Sequence, residues 1–318
     1  APGAADAPAG AAYPPAPAHA PAPAAEALQA GVAPVGAAAM PSASRWSDQA
    51  ESAMVPAQTP GSASQKLKAI VWSDDQHHVF AKHMLAQYAK LWPEHPFVFL
   101  VPYNSKRAPI EEFEQFGDWV ELVPTSKQLS RTMLQLLEHC NCTSEMVFLA
   151  IDDKYPTKLD STKLEAAIAW MRPKLSNQHF GGMSLGFTRK LDMEAVQMST
   201  KVHVQHAVDI VQCKERCPVF WAHRFIRAWM LKDLYKKGYA LEKRGSITNA
   251  KDYDKLLEHV QWPGNEFWTI GECASEFGES THRGKITKNC AADLRAAGAE
   301  VPVRFLPAGK KEILFKCH

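Results

Sequence analysis

Long apolar runs, an excess of one charge and a dense set of cysteines are all missing from this chain. No stretch of about 18 consecutive apolar residues occurs, so no segment reads as a membrane-spanning helix. Lys and Arg number 36 against 34 Asp and Glu, a net charge of +2, which does not favour an electrostatic nucleic-acid binder. Seven cysteines in 318 residues are sparse and odd in number. That argues against a disulfide-built secreted scaffold and points to a reducing, cytoplasmic setting. The chain opens on Ala1 rather than Met, so a processed or truncated amino terminus stays open.

What the chain has in excess lies at its start. About three-quarters of residues 1–40 are Ala, Pro or Gly, and residues 41–64 continue with Ser, Gln and Pro. Repeated prolines remove backbone donors and break each nascent helical turn. With few large apolar side chains, the segment cannot offset the entropy of ordering itself. Residues 1–64 are therefore expected to be a disordered tail or linker, and 65–318 a folded domain with ample length for a core.

From Lys66 onward, apolar runs of strand length alternate with stretches of helical spacing. "LKAIVW" (67–72), "FVFLVPY" (97–103), "WVELVPT" (119–125) and "EMVFLAI" (145–151) read as strands. "VFAKHMLAQYAKLW" (79–92), stopped by Pro93, and "SKQLSRTMLQLLEHC" (126–140), with Ser126 as its expected cap, read as helices. The β-α-β-β-α-β order implies an α/β fold: a Rossmann-like, mostly parallel sheet flanked by helices. Ligands of such sheets bind outside the carboxyl ends of the strands. Two acidic pairs stand there, "SDD" (73–75) after the first strand and "DDK" (152–154) after the fourth.

Each pair has a plain reading as a solvated strand end. Asp152 and Asp153 would face opposite ways in an extended chain, but Pro156 suggests a turn that lets both converge. Hard cations take oxygen ligands, and one or two carboxylates with substrate phosphates form a common Mg²⁺ arrangement. Topology places the two acidic pairs close in space, which raises the case for both.

The stretch "AIVWSDDQHHVFAKHMLAQYAKLWPEHPFVFLVPYN" resembles the opening of GT-A-type glycosyltransferases, in which a strand ends in Ser-x-Asp and a Trp-Pro-x-x-Pro step follows the next helix. Here those residues are Ser73 to Asp75, Trp92, Pro93 and Pro96. "EMVFLAIDDKYPTKLDSTKLEAAIAWM" is similar to the family's aspartate segment, with Asp160 as its further acid. "CPVFWAHRFIRAWMLKD" (217–233) resembles a Pro-x-x-Trp element through Pro218 and Trp221, and "GYALEKRGS" (238–246) an aromatic-x-x-Glu before Gly-Ser.

The resemblance covers residues 67–310 in outline and implies a GT-A-like fold that transfers a sugar from a nucleotide-activated donor to a glycan or other hydroxyl acceptor. Carried over, it implies nucleoside contacts from Asp75 and Asp74, a ribose or sugar contact from Asp152, and a metal ligand, for Mn²⁺ or Mg²⁺, in Asp153. It also implies Glu242 as the general base of an inverting reaction, and diphosphate contacts from Arg283 or Lys285 in the Gly-rich segment 271–290. That segment reads equally as a solvated loop. The departing diphosphate gains negative charge that cations must stabilise, and the acceptor hydroxyl needs a base.

The sequence departs from the family in one telling place: Lys154 stands where a full Asp-x-Asp would have its second acid. Lys154 could contact phosphate and reduce the need for a metal. It thereby supports a competing reading as a catalytically degenerate nucleotide-sugar or glycan-binding module. A third reading, a sugar nucleotidyltransferase, expects a Gly-rich basic loop after the first strand, where this chain has "SDDQHH".

Among the remaining residues, Trp221 is a candidate for stacking on a sugar or base. Cys140, Cys142, Cys213 and Cys217 lack zinc-knuckle spacing and read as free thiols. His77, His78 and His83 read as solvent-facing, with a phosphate or acceptor contact from the first two as the alternative. Asn141-Cys142-Thr143 fits a glycosylation sequon, which matters only in a secreted chain.

Overall fold

The computed structural model describes residues 66–142, 146–186, 201–204, 208–213, 223–247, 252–253, 256, 262–270, 274–282 and 284–306. The expected tail over 1–64 lies outside them.

The four apolar runs form β1 (Leu67–Trp72), β2 (Phe97–Tyr103), β3 (Val120–Pro124) and β4 (Met146–Ile151), all parallel, in the spatial order β3-β2-β1-β4. The sheet continues through β9 (Arg224–Arg227), β6 (Phe180–Ser184), β10 (Glu266–Ile270), β8 (Val208–Cys213) and β7 (Lys201–Val204). Of its nine strands only β9 and β8 run against the others. This is the mostly parallel, Rossmann-like layout expected, with helices on both faces of the sheet.

Alternation along the central strands builds two cores. Ala69, Val71, Phe148 and Ala150 face α1 (His78–Leu91) and α4 (Ser161–Met171), while Ile70, Trp72, Leu149 and Ile151 face α3 (Leu129–His139) and α5 (Ala228–Lys243). A Cβ at Gly238, inside α5, would stand 2.7 Å from both Ser130 Oγ and Tyr253 Cε1. A helical glycine destabilises by about 1 kcal/mol relative to Ala. Here it lets α5 approach α3.

Several local expectations need correction. Ser126 does not cap α3, which begins at Leu129 with Gln128 as its N-cap residue. Ser126 Oγ instead accepts from the Gln128 amide, a local turn that competes with helix. Between β2 and β3 lies a helical passage, α2 (Ile110–Phe113) followed by a 3-10 segment to Trp119, that no apolar periodicity announced.

After the Asp152–Asp153 turn the chain enters β5 (Lys154–Leu159), paired with β11 (Ser275–Glu279). The segment expected as a polar loop thus holds β11, β12 (Thr281–His282) and β13 (Lys285–Ile286), before α6 (Lys288–Ala296). Thr287 caps α6, and Asp160 caps α4 through the Lys163 amide.

Cys140 and Cys142 are paired as a disulfide rather than free. Asn141 between them takes φ +53°, a left-handed conformation that Asn tolerates. Cys213 is also disulfide-bonded, whereas Cys290 is buried and forms no disulfide. Cys217 lies outside the described residues. No helix among them is long and apolar enough to cross a membrane.

Candidate active site

A cleft of about 650 Å³ opens at the carboxyl ends of β1 to β4. Ser73 and Asp74 follow β1, Asn104 follows β2, Thr125 follows β3, and Asp152 and Asp153 follow β4. Strand polarity alone gathers these chain ends at one edge.

The Asp152–Asp153 turn is tied on two sides. The Asp152 amide donates to Trp72 O at 3.3 Å, and the Ser280 amide donates to Asp153 O at 2.7 Å. Asp152 is buried, and that burial pushes its carboxyl up to about 7, against the opposing influence of His77 and Ser73. Burial also raises the half-buried Asp153, with Lys154 opposing. Asp153 Oδ1 is buried and has no hydrogen-bond partner. A buried carboxylate oxygen left so is costly unless something else meets it.

Asp74 is held by its own turn. Its Oδ1 accepts from the Gln76 amide at 2.8 Å and the His77 amide at 3.1 Å, and lies 2.9 Å from His77 Nδ1. Burial pushes the Asp74 carboxyl up, but His77, the Gln76 amide and Arg304 bring it below the ordinary value. Burial likewise pushes His77 down, and the Asp74 and Asp152 carboxyls together raise it above the usual histidine range. Asp75, by contrast, does not line the cleft: its Oδ1 accepts from the Asn104 amide at 2.7 Å and bridges the ends of β1 and β2.

Glu242 arrives from the last turn of α5 and lines the same cleft. Its Oε1 accepts from the Tyr253 hydroxyl at 2.6 Å and from the Ser130 amide at 3.2 Å, so it satisfies an otherwise open donor in the first turn of α3. Its Oε2 is buried and without a hydrogen-bond partner. Tyr253 and Ser130 also share a short hydroxyl–hydroxyl contact. The α3–α5 packing that Gly238 permits is what brings Glu242 here.

Of the candidates from sequence, Asp74, Asp152, Asp153 and Glu242 meet in one cleft. Lys154 does not reach it: its ammonium lies 2.6 Å from Glu279 Oε1. Lys285 is exposed on β13, opposite His282, beside the Gly284 turn that edges the cleft with Thr281. Arg283, Pro218 and Trp221 lie outside the described residues. The histidines differ from expectation, because His78 and His83 are buried and His77 lines the cleft. The signal for His77 was its Asp-x-x-His spacing at a helix start, where a carboxylate three residues earlier can hold the ring.

No protein-family model matches the chain, and a search of curated proteins returns no match. Similar solved structures include 4-diphosphocytidyl-2C-methyl-D-erythritol synthase from Anaerococcus prevotii, 11% identical with a TM-score of 0.39 over 66% of this chain and 89% of that one. S. aureus TarS is 14% identical with a TM-score of 0.40, over 66% of this chain and 36% of that one. The glycosyltransferase GlyE of Streptococcus pneumoniae is 10% identical with a TM-score of 0.36, over 64% and 45%. The chain spans less than half the length of the last two. At these values the likeness is one of outline and names no reaction for this chain.

Proposed function

We propose that the chain is a glycosyltransferase that moves a sugar from a nucleotide-activated donor to an acceptor hydroxyl. The observation that carries this reading is the convergence of three separate segments on one cleft: the end of β1, the Asp152–Asp153 turn and the Thr281–Gly284 hairpin. The hairpin is bonded to the turn through the Ser280 amide, which donates to Asp153 O at 2.7 Å.

In this reading the nucleoside lies along the ends of β1 to β3, against Asp74, Asn104 and Thr125. Asp152 contacts ribose or the donor sugar. The donor set fits Mn²⁺ or Mg²⁺ shared with the substrate, because Asp153 Oδ1 is buried and unsatisfied. Among the described residues no group of three or more His, Cys, Asp or Glu side chains could hold a metal alone, so Asp153 would hold the ion together with oxygens of the substrate and water. The ion supplies positive charge against the diphosphate as it departs. Lys285, exposed on β13 beside the cleft-edging Gly284, would add positive charge toward the diphosphate.

Glu242 takes the acceptor proton through Oε2, while Tyr253 and the Ser130 amide hold Oε1. The binding-module alternative drew on a free Lys154, and the Lys154–Glu279 pair removes that support.

Turnover with a panel of nucleotide sugars and Mn²⁺ tests the proposal. Wild type is expected to release nucleoside diphosphate, with Asp153→Ala and Glu242→Gln each lowering kcat by about 100-fold or more. Full activity in both variants overturns the site. Release of pyrophosphate from a nucleoside triphosphate and a sugar phosphate favours the nucleotidyltransferase reading instead.

A further inference from the structure

Charge in the cleft is unbalanced for the ligand just proposed. Asp74, Asp152, Asp153 and Glu242 face it, and among the described lining residues only His77 and Lys127 can carry positive charge. Lys127 stands beyond the end of β3. His77 stands at the start of α1, beside the acidic residues themselves. A diphosphate that approaches three closely placed carboxyls needs a donor among them, because like charges in a partly desolvated cleft repel strongly.

The His77 ring is set up for that task by its neighbours. Nδ1 lies 2.9 Å from Asp74 Oδ1, and the same oxygen is pinned by the amides of Gln76 and His77, so the carboxylate cannot swing away. Phe305 and Phe80 flank the ring, with centroids 5.4 and 6.1 Å distant. Held through Nδ1 and packed on two aromatic rings, the imidazole has one polar atom left, Nε2, with which to meet a ligand in the cleft. The side chain is 34% exposed, enough for that contact. Asp74 on one side, with the charge of Asp152 nearby, favours the ring as imidazolium, the state in which Nε2 donates.

We infer that His77 is a substrate-contacting residue whose Nε2–H donates to a phosphate oxygen of the bound nucleotide, with Asp74 as the residue that positions it. This inference rests on the nucleotide-sugar reading of the cleft and deepens it. It changes the part given to Asp74: its outer contact is the imidazole, and its effect on the nucleotide passes through that ring. Ion-pair-assisted hydrogen bonds to phosphate contribute more than neutral ones, so a single lost donor is readable as a binding change.

Two substitutions separate contact from fold. In His77→Asn the amide nitrogen takes the place of Nδ1 and keeps the bond to Asp74, while the donor to the cleft is gone. In His77→Gln the amide reaches the place of Nε2. Calorimetry on the full chain with the diphosphates of adenosine, guanosine, uridine and cytidine, and with the four parent nucleosides, reads the difference. The expected result is diphosphate affinity about tenfold or more weaker in His77→Asn, within about threefold of wild type in His77→Gln, and unchanged nucleoside affinity in both.

Nitrogen-15 spectra of labelled histidine give a readout that needs no variant. His77 Nε2 is expected to shift when the diphosphate binds and to stay put with the nucleoside. If wild type binds a diphosphate while His77→Asn matches it, or both variants weaken alike, the inference is overturned and the nucleotide-sugar reading stands. If wild type binds none of the four diphosphates, both fall together.

Discussion

The Lys154 ammonium and Glu279 Oε1 lie 2.6 Å apart across the β5–β11 ribbon, with side chains only 12% and 17% exposed. An ion pair this enclosed is strongly missed when one partner goes, because Glu279 is then left with only the half-exposed His282 ring, 3.4 Å from Oε2, against its charge. Lys154→Met is expected to lower stability to urea by about 3 kcal/mol, and Lys154→Met with Glu279→Met to recover most of that loss. Equal stability of the single variant and wild type would show a pair that solvent replaces freely.

Packing at Gly238 sets the place of Glu242, one helical turn further along α5. Gly238→Ala brings a methyl group to within 2.7 Å of Ser130 Oγ and of the Tyr253 ring. Its helix propensity improves by about 1 kcal/mol, and the clash outweighs that gain by about 1–3 kcal/mol. The expected variant melts lower and also turns over more slowly, since α5 can only yield by moving Glu242. A melting temperature unchanged or raised would contradict the close α3–α5 contact.

The layout was legible where one force dominates. β1 and β2 fall where the apolar runs placed them, residues 67–72 and 97–103, because strands buried on both faces must be continuously apolar. The acidic ends of β1 and β4 converge for a topological reason, and topology follows from element order.

What was hidden depends on long-range partners. Glu279 lies 125 residues from Lys154, so the lysine looked free for phosphate. Ser126 carried the chemistry of a helix cap, yet the α3 terminus takes its acceptor from Glu242, 112 residues from Ser130. The hairpin of β12 and β13 read as loop because its strands are two residues long and too short for any period.

Acid sensitivity is expected from His223, which is almost fully buried beneath the acidic turn. Its Nδ1 lies 2.7 Å from the Tyr88 hydroxyl, and its Nε2 lies 3.2 Å from Ile151 O. Burial pushes its imidazole down to about 4. In the unfolded chain the ring titrates near 6.5, so between pH 6.5 and 4 the unfolded state binds the extra proton. The His223 contribution to stability is therefore complete above pH 6.5 and falls by about 3 kcal/mol as pH drops to 4, opposed by Asp152, whose raised carboxyl takes up its proton in the folded state over the same range. Histidine NMR checks the cause directly: the His223 resonance is expected not to titrate at pH 6, and an ordinary midpoint near 6.5 would refute it.

Chelation offers a further test of the acidic pair. Diphosphate affinity is expected to fall at least about tenfold when EDTA replaces Mn²⁺ in wild type, and to be insensitive to that exchange in Asp153→Ala. Equal metal sensitivity in the two proteins would place the ion elsewhere.

The most direct measurement is a crystal structure of the chain soaked with nucleoside diphosphate and Mn²⁺. The account predicts the nucleoside along the ends of β1 to β3 and the diphosphate between Asp153 and the Thr281–Gly284 hairpin. A nucleotide bound at any other place, with Asp152 and Asp153 touching neither ligand nor ion, would contradict it.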